Sequence, residues 1–174
     1  MRYLVVILFC IISFSSQAFE DSPEDPEKTS KKHSWGGGFG SGAILNDDAD
    51  SLTLGSLFYE YHLDTNFSFN TKFFTGSTSG DSVDDHTNSS TGLQLSLKAR
   101  ANFYNMSVYA RAGANLYDTG NNSRGQDNSG LGYVGAAGLE YLSDNGLILG
   151  FEFEYYTAGS IDVFGGNVFV GTRF

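Results

Sequence analysis

From Trp35 onward the sequence alternates between apolar and polar side chains with a period of two. The stretch 91–101 is the most regular example, with Leu95 and Leu97 on one parity and Gln94 and Lys98 on the other. Successive side chains of a β-strand point to opposite faces, so the pattern predicts strands whose two faces meet different surroundings. Because the alternation recurs along the chain, it favours an all-β fold.

Eight segments carry this alternation, and each has the ~10–12 residues that a tilted membrane-crossing strand requires. The segments are 34–45, 51–62, 66–75, 91–102, 106–117, 130–142, 147–157 and 163–174. The first two are less regular, because Leu52 and Leu54 share a parity with Glu60. We expect a β-bulge or a register shift in that region.

The connections between these segments alternate in length. Those after odd-numbered segments are 46–50, 76–90, 118–129 and 158–162, and those after even-numbered segments are 63–65, 103–105 and 143–146. Short periplasmic turns and longer external loops are typical of outer-membrane barrels. The sequence therefore predicts an eight-stranded antiparallel up-and-down transmembrane β-barrel with both termini in the periplasm.

The N-terminal region has the features of an export signal. Residues 1–18 combine an early positive charge, an apolar run from Tyr3 to Phe14, and small residues at Ser16 and Ala18. This predicts a signal peptide cleaved after Ala18, and an uncleaved anchor is the less favoured alternative. We expect residues 19–33 to form a disordered acidic periplasmic tail and residues 34–174 to form the barrel.

Several short motifs carry a family resemblance. They are GLQLSLK at 92–98, VYARAG at 108–113, GLEY at 138–141, FEFEY at 151–155 and VFVGTRF at 168–174. Together they resemble the eight-stranded transmembrane domain of OmpA-type outer-membrane proteins. The resemblance implies the outer membrane of a Gram-negative bacterium. It covers the transmembrane domain alone, and we expect no peptidoglycan-binding domain.

The C-terminal motif implies one partner. Val168, Val170, Thr172 and Phe174 lie on one parity and resemble the signal read by the outer-membrane assembly machinery, although Thr172 stands where an aromatic residue is common.

The charged residues of the strands predict what fills the barrel. An eight-stranded barrel is just wide enough for side chains to fill, and buried charges must pair. We expect Lys98, Arg100 and Arg111 to face Glu140, Glu152 and Glu60. The full predicted network that closes the lumen comprises Glu60, Lys72, Lys98, Arg100, Arg111, Glu140, Glu152 and Glu154, and Arg173 is a further strand cation on the polar parity.

These features predict an integral outer-membrane protein with a structural or cell-surface interaction role. A narrow gated ion channel or porin-like pore is the alternative. We expect a monomer in contact with outer-membrane lipid and lipopolysaccharide, and any surface ligand would bind through loops 76–90 and 118–129. The acidic loops favour either solubility or contact with divalent cations, which take carboxylate ligands.

Other function classes are disfavoured. A net charge of −10 argues against nucleic acid as a partner, and we expect no metal or cofactor. The GxGxxG motif at 130–135 lies inside a strand pattern, where no nucleotide site forms. His33, His62 and His86 fall in the tail, at a turn and in a loop, and we expect them to lie far apart in the barrel. We therefore expect no enzyme, with an outer-membrane lipid-modifying enzyme as the remote alternative.

Overall fold

The computed structural model describes residues 31–45, 51–79, 89–119, 128–158 and 161–174. The predicted signal peptide, most of the predicted tail and the centres of the long loops lie outside these residues. Within the part of the chain that is described, no helix has the length and apolar character needed to cross a membrane.

Eight antiparallel strands form one closed barrel, in which each strand pairs with its neighbours in the chain and β8 pairs with β1. The fold class predicted from the alternation is therefore confirmed. The strands are β1 (His33–Ile44), β2 (Ser51–His62), β3 (Phe67–Ser79), β4 (Ser89–Phe103), β5 (Met106–Thr119), β6 (Asn128–Leu142), β7 (Leu147–Ala158) and β8 (Ile161–Arg173).

The two ends of the barrel differ in their connections. We call one end the terminal end; it holds the short turns, His33 and Phe174. The opposite end is called the loop end. The turns between strands at the terminal end are 63–66, 104–105 and 143–146. The connections at the loop end are 45–50, 80–88, 120–127 and 159–160.

The strands reach further toward the loop end than the sequence predicted. Segments 76–79, 89–90, 118–119 and 128–129 belong to strands, so the predicted loops 76–90 and 118–129 shorten to 80–88 and 120–127. Pairs such as Ser51↔Ser79 and Ser90↔Thr119 continue the ladders there. Ladder hydrogen bonds join backbone groups, so pairing continues where apolar alternation has already stopped.

The bulge expected in β2 is absent. The register runs without interruption from His33↔Tyr61 to Ala43↔Ser51 against β1, and it is equally continuous against β3. Leu52 and Leu54 share the inward face with Glu60 because the lumen is apolar at the loop end and charged further down. A change of surroundings along one face, rather than a shift of register, explains the irregular pattern.

The barrel wall separates two environments. Leu95 and Leu97 of β4 are 49% and 46% exposed on the outer surface, whereas Lys98, on the opposite face of the same strand, is 3% exposed. Large apolar side chains cover the outward face of the other strands in the same way. The core of this protein is therefore the lumen, and the apolar surface faces outward.

The chain joins the barrel slightly earlier than predicted. β1 begins at His33, one residue before the predicted start. The backbone N–H of His62 donates to the Lys32 carbonyl over 2.8 Å, and the Arg173 Nε–H donates to the Lys31 carbonyl over 2.8 Å. The last residues of the predicted tail are thus held against the terminal end.

Candidate functional site

The charged side chains of the lumen form two separate groups. We call Glu60, Lys98, Arg100 and Glu140 the terminal cluster, and Lys72, Arg111, Glu152 and Glu154 the central cluster. Each of these eight residues is buried. Each cluster holds two cations and two carboxylates, so each is neutral by itself.

In the terminal cluster, each cation contacts both carboxylates. Lys98 Nζ lies 3.2 Å from Glu60 Oε2 and 2.5 Å from Glu140 Oε2. Arg100 lies 3.3 Å from Glu140 Oε1 and also pairs with Glu60. Ser68 donates its hydroxyl hydrogen to Glu60 and accepts a hydrogen bond from Arg100 Nη2 over 2.9 Å. Within this cluster, the one buried side-chain polar atom without a hydrogen-bond partner is Arg100 Nε.

In the central cluster, too, each cation contacts both carboxylates. Lys72 Nζ lies 2.9 Å from Glu152 Oε1 and 2.5 Å from Glu154 Oε2. Arg111 donates Nε and Nη2 to the two oxygens of Glu152, each over 3.0 Å, and also pairs with Glu154. Gln94 donates to Glu154 over 2.6 Å and accepts from Arg111 Nη1 over 3.0 Å. The two-point contact between Arg111 and Glu152 fixes the orientation of both groups.

The partners differ in part from those predicted. Lys98, Arg100 and Arg111 were expected to face Glu140, Glu152 and Glu60. Lys98 and Arg100 pair with Glu60 and Glu140, whereas among the described carboxylates Arg111 pairs with Glu152 and with Glu154, which was not in that set. The register explains this, because Ala136 of β6 pairs with Arg111 on one side and with Glu154 on the other. Height along the barrel axis therefore selects the partners. Arg173 forms its hydrogen bond with Lys31 rather than within either cluster.

An aromatic group separates the clusters. The rings of Phe58 and Phe169 meet edge to face at 5.5 Å, and Tyr109 lies 6.5 Å from Phe169. Lys98 Nζ stands 3.9 Å from the centre of the Tyr109 ring, while the Tyr109 hydroxyl donates to Glu152 over 3.0 Å. Tyr109 thus contacts both clusters, through its ring on one side and its hydroxyl on the other.

Sequence reasoning missed Phe58 and Phe169, although a signal for them exists. Phe58 and Phe169 lie on the polar parity of their strands, which marks them as lumen residues. Gly150 faces Phe169, and a Cβ at position 150 would overlap the ring. Large aromatic residues on the inward parity, opposite glycines, are the pattern that could have revealed it.

An apolar group fills the lumen near the loop end, and this too was missed. We call it the apolar layer; it consists of Leu52, Phe74, Val134, Tyr156, Ala158 and Val163. Each of these side chains is almost fully buried, and the rings of Phe74 and Tyr156 lie 5.1 Å apart. The lumen is therefore charged at the terminal end and in its centre, and apolar at the loop end.

Little space remains between these groups. A cavity of about 20 Å³ lies between the two clusters, and another of about 10 Å³ lies beneath Phe74 and Tyr156. A water molecule needs roughly 10–15 Å³ of such volume, so each cavity has room for about one.

The histidines lie closer together than predicted. His62 is the last residue of β2, and His33 pairs with its neighbour Tyr61 in the ladder. His62 Nε2 lies 2.7 Å from the Ser34 hydroxyl, and His62 Nδ1 lies 3.8 Å from Glu60 Oε1. The expectation that these two histidines are far apart was wrong, because the antiparallel pairing of β1 with β2 brings the start of β1 beside the end of β2. His86 lies outside the described residues.

The C-terminal motif faces outward. Val168, Val170 and Phe174 are exposed, and Thr172 is half-buried. His33 and Phe174 exchange two backbone hydrogen bonds of 3.1 and 2.8 Å, and their rings stack at 5.8 Å. The last residue of the chain therefore helps to close the barrel against β1.

The described residues include no group of three or more His, Cys, Asp or Glu side chains arranged to hold a metal. The GxGxxG motif at 130–135 lies within β6, in the ladder with β5. That placement lacks the strand-to-helix turn on which a dinucleotide site depends.

Known proteins share this architecture. Ail, the attachment invasion locus protein of Yersinia pestis, superposes with a TM-score of 0.61 at 18% identity, over 83% of this chain and 99% of Ail. Neisserial surface protein A superposes with a TM-score of 0.65 at 10% identity, over 82% and 96% of the two chains. OprG of Pseudomonas aeruginosa gives 0.57 at 14%, over 84% and 97%.

No curated protein sequence matches the chain. The family profile described as "Outer membrane protein beta-barrel domain" matches residues 6–174, which is nearly the whole chain. The chain belongs to this family of outer-membrane β-barrel proteins of Gram-negative bacteria.

Proposed function

We propose that this protein is a structural barrel of the outer membrane with a lumen closed to ions, and that it makes its contacts with other molecules at the loop end. The filled lumen carries this proposal. Two neutral clusters, an aromatic group and an apolar layer follow one another along the axis, and the cavities between them are about 20 and 10 Å³.

The cost of breaking the clusters supports closure. Every charged side chain in them has two partners of opposite sign. An open ion path would need some of these pairs to separate, and an uncompensated buried charge costs ~3–5 kcal/mol. The clusters therefore contribute to the closure.

Recordings in planar bilayers test the closed lumen. Purified full-length protein, shown to be folded by its heat-modifiable mobility on SDS gels, should give little or no current. Large, stable, ohmic channels from the unmodified protein would overturn the proposal and favour the porin-like alternative.

The connection lengths support an orientation with the loop end outside and both termini in the periplasm, because outer-membrane barrels have short periplasmic turns and longer external loops. Among the described residues, every strand Lys and Arg lies on the inward parity, whereas Asp118 and Asp162 lie on the outward parity near the loop end. The loops add further acidic residues against Arg124 alone. They are Asp47, Asp48, Asp50, Asp81, Asp84, Asp85 and Asp127.

An acidic loop end fits a partner that brings positive charge. Ail has been solved with the heparin analogue sucrose octasulfate, so a barrel of this architecture can carry a surface ligand. Here the acidic loops would repel such a polyanion, and we propose instead contact with lipopolysaccharide through bridging divalent cations. Binding to lipopolysaccharide vesicles should require Mg²⁺ or Ca²⁺ and should fall when 80–88 and 120–127 are replaced by short turns. Cation-independent binding would overturn it.

We also propose that the protein is not an enzyme. Ser34, His62 and Glu60 come together in the order of a nucleophile, a base and a carboxylate. The Ser34 side chain is nevertheless fully buried, and Glu60 is engaged by Lys98 and Arg100. A substrate could not reach the hydroxyl. Mass spectra of outer-membrane lipids should be the same with the unmodified protein and with Ser34→Ala; a lipid species that disappears with Ser34→Ala would contradict this.

A further inference from the structure

The apolar layer spans the whole cross-section of the lumen. Its six residues come from β2, β3, β6, β7 and β8, and Ile44 of β1 and Tyr117 of β5 pack against them. β4 contributes Gly92, where an added Cβ would lie 2.5 Å from the Phe74 ring. Because Gly92 has no side chain, the Phe74 ring occupies the space beside β4. All eight strands therefore take part in the closure.

The polar part of the lumen ends beneath this layer. Both cavities are lined by Lys72 and Asn167, and the smaller one reaches Phe74 and Tyr156. Neither cavity is lined by Leu52 or Val163, which belong to the layer.

Unpartnered amide oxygens mark the polar side. Asn70 and Asn167 are more than nine-tenths buried, and their Oδ1 atoms have no partner within the protein. Buried polar atoms of this kind are hydrogen-bonded to water in folded proteins. The cavities next to them therefore suit water. Of the six layer residues, only Tyr156 carries a polar side-chain group, and its hydroxyl has no partner within the protein.

The two regions oppose an ion in different ways. Within the clusters an ion meets carboxylates and ammonium groups that can exchange partners with it. Among the six residues of the apolar layer it meets no charged group and only the Tyr156 hydroxyl, and an unpaired charge in such surroundings is strongly disfavoured. Apolar constrictions in channels close by excluding water in this manner.

We infer that the apolar layer, and not the ion-pair clusters, is the main barrier to ions in this barrel. The inference rests on the proposed closed lumen and locates the closure within it. The layer separates a polar lumen that holds water from the loop end.

Polar substitutions within the layer test the inference in planar bilayers. Leu52→Asn places an amide in the layer, and Val163→Thr adds a hydroxyl with almost no change of shape. Val108→Thr makes the same exchange on the outer surface and is the matched control. Glu140→Gln removes one carboxylate charge from the terminal cluster. All variants are full-length and are checked for heat-modifiable mobility before recording.

We expect Leu52→Asn and Val163→Thr to raise the time spent conducting by about ten-fold or more, since each adds a polar partner for water to a layer whose one polar side-chain group is the Tyr156 hydroxyl. Val108→Thr and Glu140→Gln should stay near the unmodified protein. If Leu52→Asn fails to fold, Val163→Thr decides the question, because its change of shape is minimal.

The inference is overturned if the layer variants stay silent, or if Glu140→Gln conducts as much as they do. Stable channels from the unmodified protein would refute the proposed closed lumen instead. In that case the single-channel conductance of the layer variants is compared with that of the unmodified protein. A higher conductance in the layer variants supports the inference, and an unchanged conductance overturns it.

Discussion

The terminal and central clusters contain the same kinds of charge but arrange them on the strands in opposite ways. β4 supplies both cations of the terminal cluster, Lys98 and Arg100, and the carboxylates come from β2 and β6. In the central cluster β7 supplies both carboxylates, Glu152 and Glu154, and the cations come from β3 and β5. Two like charges on one strand need partners from two other strands in each case.

This difference shows that neutrality is reached locally. The described salt bridges all lie within one cluster or the other, apart from the His62–Glu60 contact at the terminal end. Contact between the clusters runs through Tyr109. A substitution in one cluster should therefore leave the other unaffected. The carboxylates of the two clusters should also differ in how much each contributes to the free energy of unfolding.

The largest effect is expected at Glu152. It accepts hydrogen bonds from Lys72, Arg111 and Tyr109, whereas Glu140 pairs with Lys98 and Arg100. Glu152→Ala should lower the free energy of unfolding by ~3–5 kcal/mol, because it leaves buried cations undercompensated. Urea titration in lipid vesicles measures this. A loss at Glu152→Ala smaller than at Glu140→Ala would contradict the ranking.

The inward face of β4 supplies both cations of the terminal cluster, and its Gln94 contacts the central cluster. Leu95→Arg tests this assignment of faces. Leu95 is exposed near the middle of the strand, where an outward Arg costs ~2–4 kcal/mol in a membrane. Thr91→Arg is the control, since it lies on the same outward face closer to the loop end, where the cost falls to ~0–1 kcal/mol. Equal stability of the two variants in vesicles would show that the parity or the depth is misassigned.

Tyr109 links the clusters through two contacts, one made by its hydroxyl and one by its ring, and two substitutions measure them separately. Tyr109→Phe removes the hydrogen bond to Glu152 and should cost ~1.5–3 kcal/mol of unfolding free energy, as for bonds to charged groups. The ring beneath Lys98 remains, so Tyr109→Leu should cost ~0.5–2 kcal/mol more. The same urea titration measures both, and Tyr109→Phe without effect would mean that the hydroxyl does not bind Glu152.

The smallest expected effect is the coupling free energy between substitutions in different clusters. A double-mutant cycle of Lys98→Gln with Glu140→Gln, within the terminal cluster, should give a coupling of ~0.5–3 kcal/mol. A cycle of Glu140→Gln with Glu154→Gln, across the clusters, should be additive within ~0.5 kcal/mol. Strong coupling across the clusters would mean that the lumen holds one continuous network.

Much of this architecture could be predicted because it depends on local properties. Side-chain direction in a strand alternates residue by residue, so the parity of Lys98 or Leu95 follows from position alone. The strand number, the closed antiparallel topology and the inward placement of the charges were predicted on that basis. Strand ends were predicted less well, because the backbone ladders run past the last alternating residue.

The partners of each charge could not be predicted in full. Arg111 meets Glu154 because Ala136 aligns them across β6, and that register is set by turns and by packing around the whole barrel. The sequence predicted Glu152 but not Glu154 among the partners of Arg111, and its pattern at Leu52 and Leu54 was interpreted as a bulge. Both errors come from treating the inward face as uniform along the axis.

The sequence by itself determined the strands, their inward and outward faces and the balance of charge, since each follows from the period of two and from composition. Only the tertiary structure decided how the lumen is layered. Closing eight strands into one barrel sets the height of every inward side chain against seven other strands. That long-range alignment placed Phe58 beside Phe169, divided the charges into two clusters, and gathered Leu52, Phe74 and Val163 into one apolar layer.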